Sequence, residues 1–276
     1  MSPASIATVT VTESGCRLGL EDAPRELAAE LLLVADGVGS ALREQLGVTV
    51  TDKPYGQHAL VANVAFAEPH EGCAYERFTD EGPVALLPLL PAGDAGHRSA
   101  LVWTLPPERA TGLCNCPEQD FLRELQDRFG YRLGRLQQVG ARHAYPLSLV
   151  RSGEQVRQGV VVMGNAAHAL HPVAGQGFNL ALRDVAELGR VLARGAELNV
   201  PPGDLAMLQR YHHRQQADQD RTIQFSDRVP SLFMNNDPVL GMGRDLALAG
   251  LDILPGLKRE FVRYAAGVAG AGQPGG

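Results

Sequence analysis

Two short stretches of this 276-residue chain hold residues whose types and spacing could do chemistry. The first is Ala35-Asp36-Gly37-Val38-Gly39-Ser40-Ala41-Leu42-Arg43. Asp36 can accept hydrogen bonds from hydroxyl groups, Gly37 and Gly39 let backbone approach a ligand closely, and Arg43 offers a two-pronged donor to phosphate. An ordinary helix start, with Ser40 or Asp36 satisfying free amides, explains the same letters. The second stretch runs from Gly164 to Asp184 and contains Gly164-Asn165-Ala166-Ala167-His168, Leu170-His171-Pro172 and Gly175-Gln176-Gly177-Phe178-Asn179. Its small residues leave space for a ligand, while Pro172 and the glycines set a helix N-terminus beside that space. Free amides and partial positive charge there suit an electron-rich ring. A plain loop and cap explain Gly175 and Gly177 separately and the whole string poorly.

Each stretch needs a strand before it and a helix after it. Residues 31–35 and 159–163 are apolar without alternation, which predicts strands buried on both faces, the kind found in parallel sheets. Residues 6–12 alternate, and Gly15 with residues 16–20 predicts a hairpin partner. Between 58 and 145, β-rich segments at 58–66, 73–79, 83–89 and 99–104 surround one helical stretch at 117–129. They predict a separate, largely antiparallel layer. A helix over 177–194 repeats Phe178, Ala181, Leu182, Val185, Leu188 and Leu192 at helical spacing, so that face is expected to pack inward. The pattern stays helical from 201 to 266, and 270–276 reads as a flexible tail. Its GxGxxG-like letters have no strand before them and no helix after.

With 45% apolar and 20% charged residues, the chain can bury a substantial core. A net charge of -6 gives no basic footprint, which sets nucleic-acid binding aside. No apolar run is long enough to span a membrane and the start lacks the regions of a signal peptide, so the cytoplasm is the default compartment. Cys16, Cys73, Cys114 and Cys116 are too few and irregular for a disulfide framework. Neither Cys114-Asn115-Cys116 nor His168 with His171 has the further ligands a zinc site needs, so no metal is expected. His212-His213, between Arg210 and Arg214, reads as a solvated face. Residues 246–257, apolar but broken by Gly250, Asp252 and Pro255, read as core or as a partner-binding surface.

The second stretch resembles the C-terminal FAD signature of class A flavoprotein aromatic hydroxylases, which have the p-hydroxybenzoate hydroxylase fold. The first resembles their internal Asp-Gly motif, and the likeness extends over essentially the whole chain. A subgroup is suggested as well. Gly164-Asn165-Ala166-Ala167 where most of the family has Gly-Asp, Leu170-His171-Pro172, residues 69–79 with Gly82-Pro83, and Ala144-Tyr145-Pro146-Leu147 look like the 2-polyprenyl-6-methoxyphenol hydroxylases of ubiquinone biosynthesis.

The resemblance implies an α/β (α+β) fold with a Rossmann-like FAD/NAD(P)-binding domain over 1–54, a β-rich substrate domain over 55–150 and the FAD-binding domain continued over 151–200. A C-terminal helical region and tail occupy 201–276. The family's first βαβ unit, with its GxGxxG turn, has no counterpart before Asp36. The chain is therefore expected to be truncated, to bind FAD weakly by itself and to be inactive in isolation.

The implied activity is hydroxylation of a polyprenylated methoxyphenol with FAD as cofactor, NAD(P)H as electron donor and dioxygen as co-substrate. Cofactor contacts are expected at Asp36, Gly37, Arg43, Gly164, Asn165, Pro172, Gly175, Gln176, Gly177 and Asn179. Asp36 and Gly37 would sit near the pyrophosphate, and Asn165 where the family's Asp meets the ribityl chain, keeping an acceptor oxygen and losing the charge. The segment 172–177 would lie along the isoalloxazine. No catalytic base is identified. Protein partners in a ubiquinone-biosynthesis complex, peripheral contact with the inner membrane and homo-oligomerisation stay open. A different flavoenzyme of the same fold and a non-catalytic subunit of a quinone-synthesising assembly are the alternatives.

Overall fold

A computed structural model describes residues 5–21, 23–91 and 96–234. The segments 246–257 and 270–276 lie outside the described residues. The chain divides into two compact units. One comprises residues 1–53, 148–171 and 175–225; the other comprises 54–147, 172–174 and the residues from 226 onward.

The first unit opens with an antiparallel meander, β1 (Ile6–Thr12), β2 (Gly15–Leu20) and β3 (Ala23–Ala29), in the order β1-β2-β3. The alternation that predicts β1 and β2 puts Cys16 and Leu18 in a buried layer. Burial raises the pKa of the Cys16 thiol, which donates to the Gly159 carbonyl at 3.4 Å. Gly15 has no alternative there, because a Cβ would stand 2.1 Å from the Ala29 oxygen. β3 had no sequence signal: Pro24 and Glu26 interrupt its pattern, which an edge strand tolerates. Next come β4 (Leu32–Val34) and the short helix α1 (Ala41–Gln45).

In the second unit, β5 (Val50–Phe66) enters from the first, followed by β6 (Tyr75–Phe78), β7 (Pro83–Leu89) and β8 (His97–Leu105). Helices α2 (Pro107–Asn115) and α3 (Glu118–Phe129) precede β9 (Leu136–Val139) and β10 (His143–Ser152). The sheet order is β10-β5-β8-β7-β6, with β9 also paired to β5. Leu60, Ala62, Val64 and Phe66 alternate along β5 and join Leu101, Trp103 and Leu105 of β8 in one core. Phe121, Leu125 and Phe129 of α3, at helical spacing, cover that face.

Back in the first unit, β11 (Val156–Arg157) turns into β12 (Val160–Val162), which runs parallel to β4 with Val160 opposite Leu32 and Val162 opposite Val34. β12 is covered on both faces, as its unbroken apolar run predicts. Val160 and Val162 pack with Cys16, Leu18, Leu32 and Val34, while Val161 and Met163 pack with Leu188, Val191, Leu208 and Tyr211. β4 departs from the same expectation, since Leu33 is 45% exposed. β13 (His168–Ala169) pairs with the end of β10, and the long helices α4 (Gln176–Glu197) and α5 (Leu205–Met234) follow.

The inward face of α4 corrects the sequence reading. Leu180, Asp184, Glu187, Leu188 and Val191 are buried, whereas Phe178, Leu182 and Val185 are 71%, 51% and 53% exposed. Two acidic residues sit on the buried face because each finds partners there, so apolar letters alone misplace the seam.

Candidate flavin site

β4 delivers the first stretch. Asp36 is exposed and accepts from the Leu42 amide at 3.3 Å, while buried Ser40 caps α1 by accepting from the Arg43 amide at 3.0 Å. The capped helix start is therefore real. Gly37 has a φ of 96°, a conformation that favours glycine. The Arg43 guanidinium is buried, donating through Nη1 to the Ala166 carbonyl at 2.6 Å and through Nη2 to the Val38 carbonyl at 2.8 Å. It thus clamps the first stretch to the second, and its prongs are spent on backbone.

β12 delivers the second stretch. After Val162 the chain makes a 3-10 turn over Gly164–Ala166, closed by the Ala167 amide on the Gly164 carbonyl at 3.0 Å, and Gly164 takes a φ of 58°. Asn165 stands exposed at the crest of this turn. Gly175, with a φ of 60°, is the N-cap of α4 and supplies no side-chain cap. The first amides of a 22-residue helix are thereby left without a side-chain partner at the N-cap, and its dipole adds positive potential at that end. Gln176 is buried, Gly177 and Asn179 are half-buried, and Pro172 is half-buried in the segment grouped with the second unit.

The glycines test whether a cofactor fits. A Cβ added at Gly37, Gly39, Gly164, Gly175 or Gly177 would meet no atom of the described residues within 4 Å. Gly39 and Gly177 lack a positive φ as well, so neither backbone conformation nor internal crowding accounts for them. Gly112 and Gly189 share that property singly on helices. Here five glycines with open space fall on two stretches that Arg43 ties together, which is the arrangement expected where a ligand supplies the close approach. The residues present fit FAD.

Behind the turn lies a buried polar network that sequence reasoning missed. His168 and Asp184 are each 1% exposed, with Nε2 and Oδ2 2.9 Å apart. Asp184 Oδ1 accepts from Gln219 Nε2 at 3.1 Å, and Gln219 exchanges hydrogen bonds with Gln155 at 3.0 and 3.1 Å. Burial, and the Asp184 charge after it, raise the Tyr211 pKa well above the usual phenol range. The only sequence signal was a set of polar letters on otherwise apolar helix faces. His212 is half-buried and burial lowers its pKa, against the solvated face expected for it, although His213 is exposed. Among the described residues no group of three or more His, Cys, Asp or Glu side chains could hold a metal ion. No helix among them is long and apolar enough to cross a membrane.

Residues 8–226 match a protein family described as FAD binding domain. The chain is 36% identical over 267 residues to a ubiquinone hydroxylase, UbiL, of Rhodospirillum rubrum, covering 97% of this chain and 61% of that protein. It is 32% identical over 242 residues to the 3-demethoxyubiquinol 3-hydroxylase of Escherichia coli, covering 88% and 60%. It thus spans about three fifths of the length of these relatives. Among solved structures, the Diels-Alderase PyrE3 of pyrroindomycin biosynthesis superposes with a TM-score of 0.72 at 20% identity, covering 98% of this chain and 57% of that one. PqsL, a probable FAD-dependent monooxygenase from Pseudomonas aeruginosa, does so with 0.68 at 21%, covering 84% and 64%. These two likenesses carry the fold. The match over residues 8–226, with which the α/β architecture agrees, places the chain in the FAD-binding domain family.

Proposed function

We propose that this chain supplies the flavin-ring and ribityl part of the site in an FAD monooxygenase that hydroxylates a polyprenylated methoxyphenol on the way to ubiquinone. The observation that carries the reading is the cluster of open glycines on two turns joined by Arg43. When bound, FAD supplies the redox chemistry by which NAD(P)H, a proton and dioxygen convert the phenol to its hydroxylated product, NAD(P)+ and water. The protein's part is to bind, orient and exclude water.

Asp36 and Gly37 would stand by the pyrophosphate and Gly164 and Asn165 by the ribityl chain, with the Asn165 amide offering both an acceptor and donors. Pro172, Gly175, Gln176, Gly177 and Asn179 would border the ring, where the amides at the start of α4 favour negative charge. Arg43 would act by holding the two turns in register. The β-rich unit would form much of the wall for the phenol. The names of the two relatives support a quinone precursor as substrate.

Deletion of the gene, followed by lipid extraction from cells grown under air, should show a polyprenylated phenol accumulating as ubiquinone falls. Unchanged ubiquinone with no phenol build-up would sink the assignment. Mass and NMR analysis of the restored product would fix which ring position is hydroxylated.

A further inference from the structure

Asn165 stands at the top of a bend whose two feet belong to one closed circuit of buried hydrogen bonds. The first foot is Val162 on β12, whose amide donates to the Gln155 carbonyl at 2.8 Å. The Gln155 side chain exchanges two hydrogen bonds with Gln219 of α5, Gln219 donates to Asp184 of α4, and Asp184 meets His168, the second foot. The covalent path from 162 to 168 closes the loop; His168, Asp184 and Gln219 are buried and Gln155 is half-buried. Among the described residues His168 Nδ1 has no hydrogen-bond partner, so the tautomer with its proton on Nε2 donates to Asp184 and leaves only a lone pair unmet there. Buried carboxylate and amide groups of this kind are costly unless every partner is in place, which makes the circuit stiff in one arrangement.

We infer that His168, Asp184, Gln219 and Gln155 form a positioning circuit that fixes the height and orientation of Asn165, and through it the fit of the flavin's ribityl chain. The inference rests on the flavin reading of the site. Strand pairing of His168 with Arg151 and the Arg43 bond to Ala166 also hold the bend. Met163 packs against Leu188 of α4 and Leu208 and Tyr211 of α5, an apolar link from the bend to both long helices, and the circuit is the polar link that carries a change at Gln219 to Asn165.

The test is a double-mutant cycle on FAD affinity. Apoprotein prepared from the holoenzyme is titrated with FAD, and flavin fluorescence gives Kd for wild type, His168→Leu, Gln219→Leu, Asn165→Ala and each double variant. Circular dichroism confirms that each is folded. His168→Leu and Gln219→Leu should each weaken FAD binding about tenfold in the presence of Asn165 and less than about threefold in the Asn165→Ala background. His168→Gln, whose Nε2 can donate to Asp184, should restore most of the affinity. Equal losses in both backgrounds would overturn the inference, since the effect would then bypass Asn165, and so would wild-type affinity in both leucine variants. A holoenzyme whose FAD affinity Asn165→Ala leaves unchanged would overturn the reading of the site and the circuit's role with it.

Discussion

Gly177 is the residue at which the flavin reading is most exposed to refutation. Its φ is ordinary and a Cβ there meets nothing within 4 Å, so the chain itself can accept a larger side chain. Replacing glycine by valine near a helix start changes intrinsic helix propensity by less than about 0.5 kcal/mol. In the holoenzyme, Gly177→Val should therefore purify folded, melt close to the wild-type apoprotein and lack the flavin absorbance band. Normal FAD stoichiometry would remove Gly177 from the site. The open turns at Gly37, Gly164 and Gly175 were legible in the sequence because glycine's backbone freedom suggests a turn from the letters alone. The His168–Asp184 pair was not, because its meaning depends on which side of α4 faces the core. The clamp made by Arg43 was hidden for a related reason: a guanidinium fork suits a carbonyl as well as a phosphate, and only the fold decides between them.

At the level of elements, periodicity located what is regular and lost what is stabilised from outside. Four strands of the β-rich unit were readable between 58 and 104, yet β9 and β10 were missed, and β5 begins at Val50, through Pro54 and Gly56, in a mostly exposed stretch with no alternation to detect. α2 was lost because Gly112 and a short apolar set weaken its pattern, although Pro107 at its first turn is a start signal. The end of α3 shows how one buried side chain can organise irregular backbone. Gln126 donates to the Gly130 and Gly134 carbonyls at 2.7 and 3.2 Å and accepts from the Leu136 amide at 2.8 Å, joining helix, loop and β9. Leucine there would leave three backbone groups short of partners in a largely buried place. Gln126→Leu should cost about 2–3 kcal/mol, read as a lower urea midpoint. An unchanged midpoint would mean that water replaces all three bonds without loss.

For the whole molecule, Phe178, Leu182 and Val185 form an exposed apolar stripe along α4, and Leu33 is exposed on β4, an edge strand of its three-stranded sheet. Such surfaces favour association. The purified 276-residue chain should self-associate as its concentration rises in sedimentation velocity, and Phe178→Glu with Leu182→Glu should shift it toward monomer; a wild-type chain that stays monomeric throughout would contradict this. The discontinuous first unit has a consequence for how the chain is made. Strands β5 to β9 and the buried core they share with α2 and α3 are present once residue 139 has been synthesised, but β4 cannot meet β12 before residue 162, and the core beyond β12 also needs Tyr211. On a ribosome the insert can therefore fold while β4 is still waiting for the other two strands of its three-stranded sheet. Leu32 and Val34 are synthesised more than 120 residues before Val160 and Val162, the strand residues that cover them.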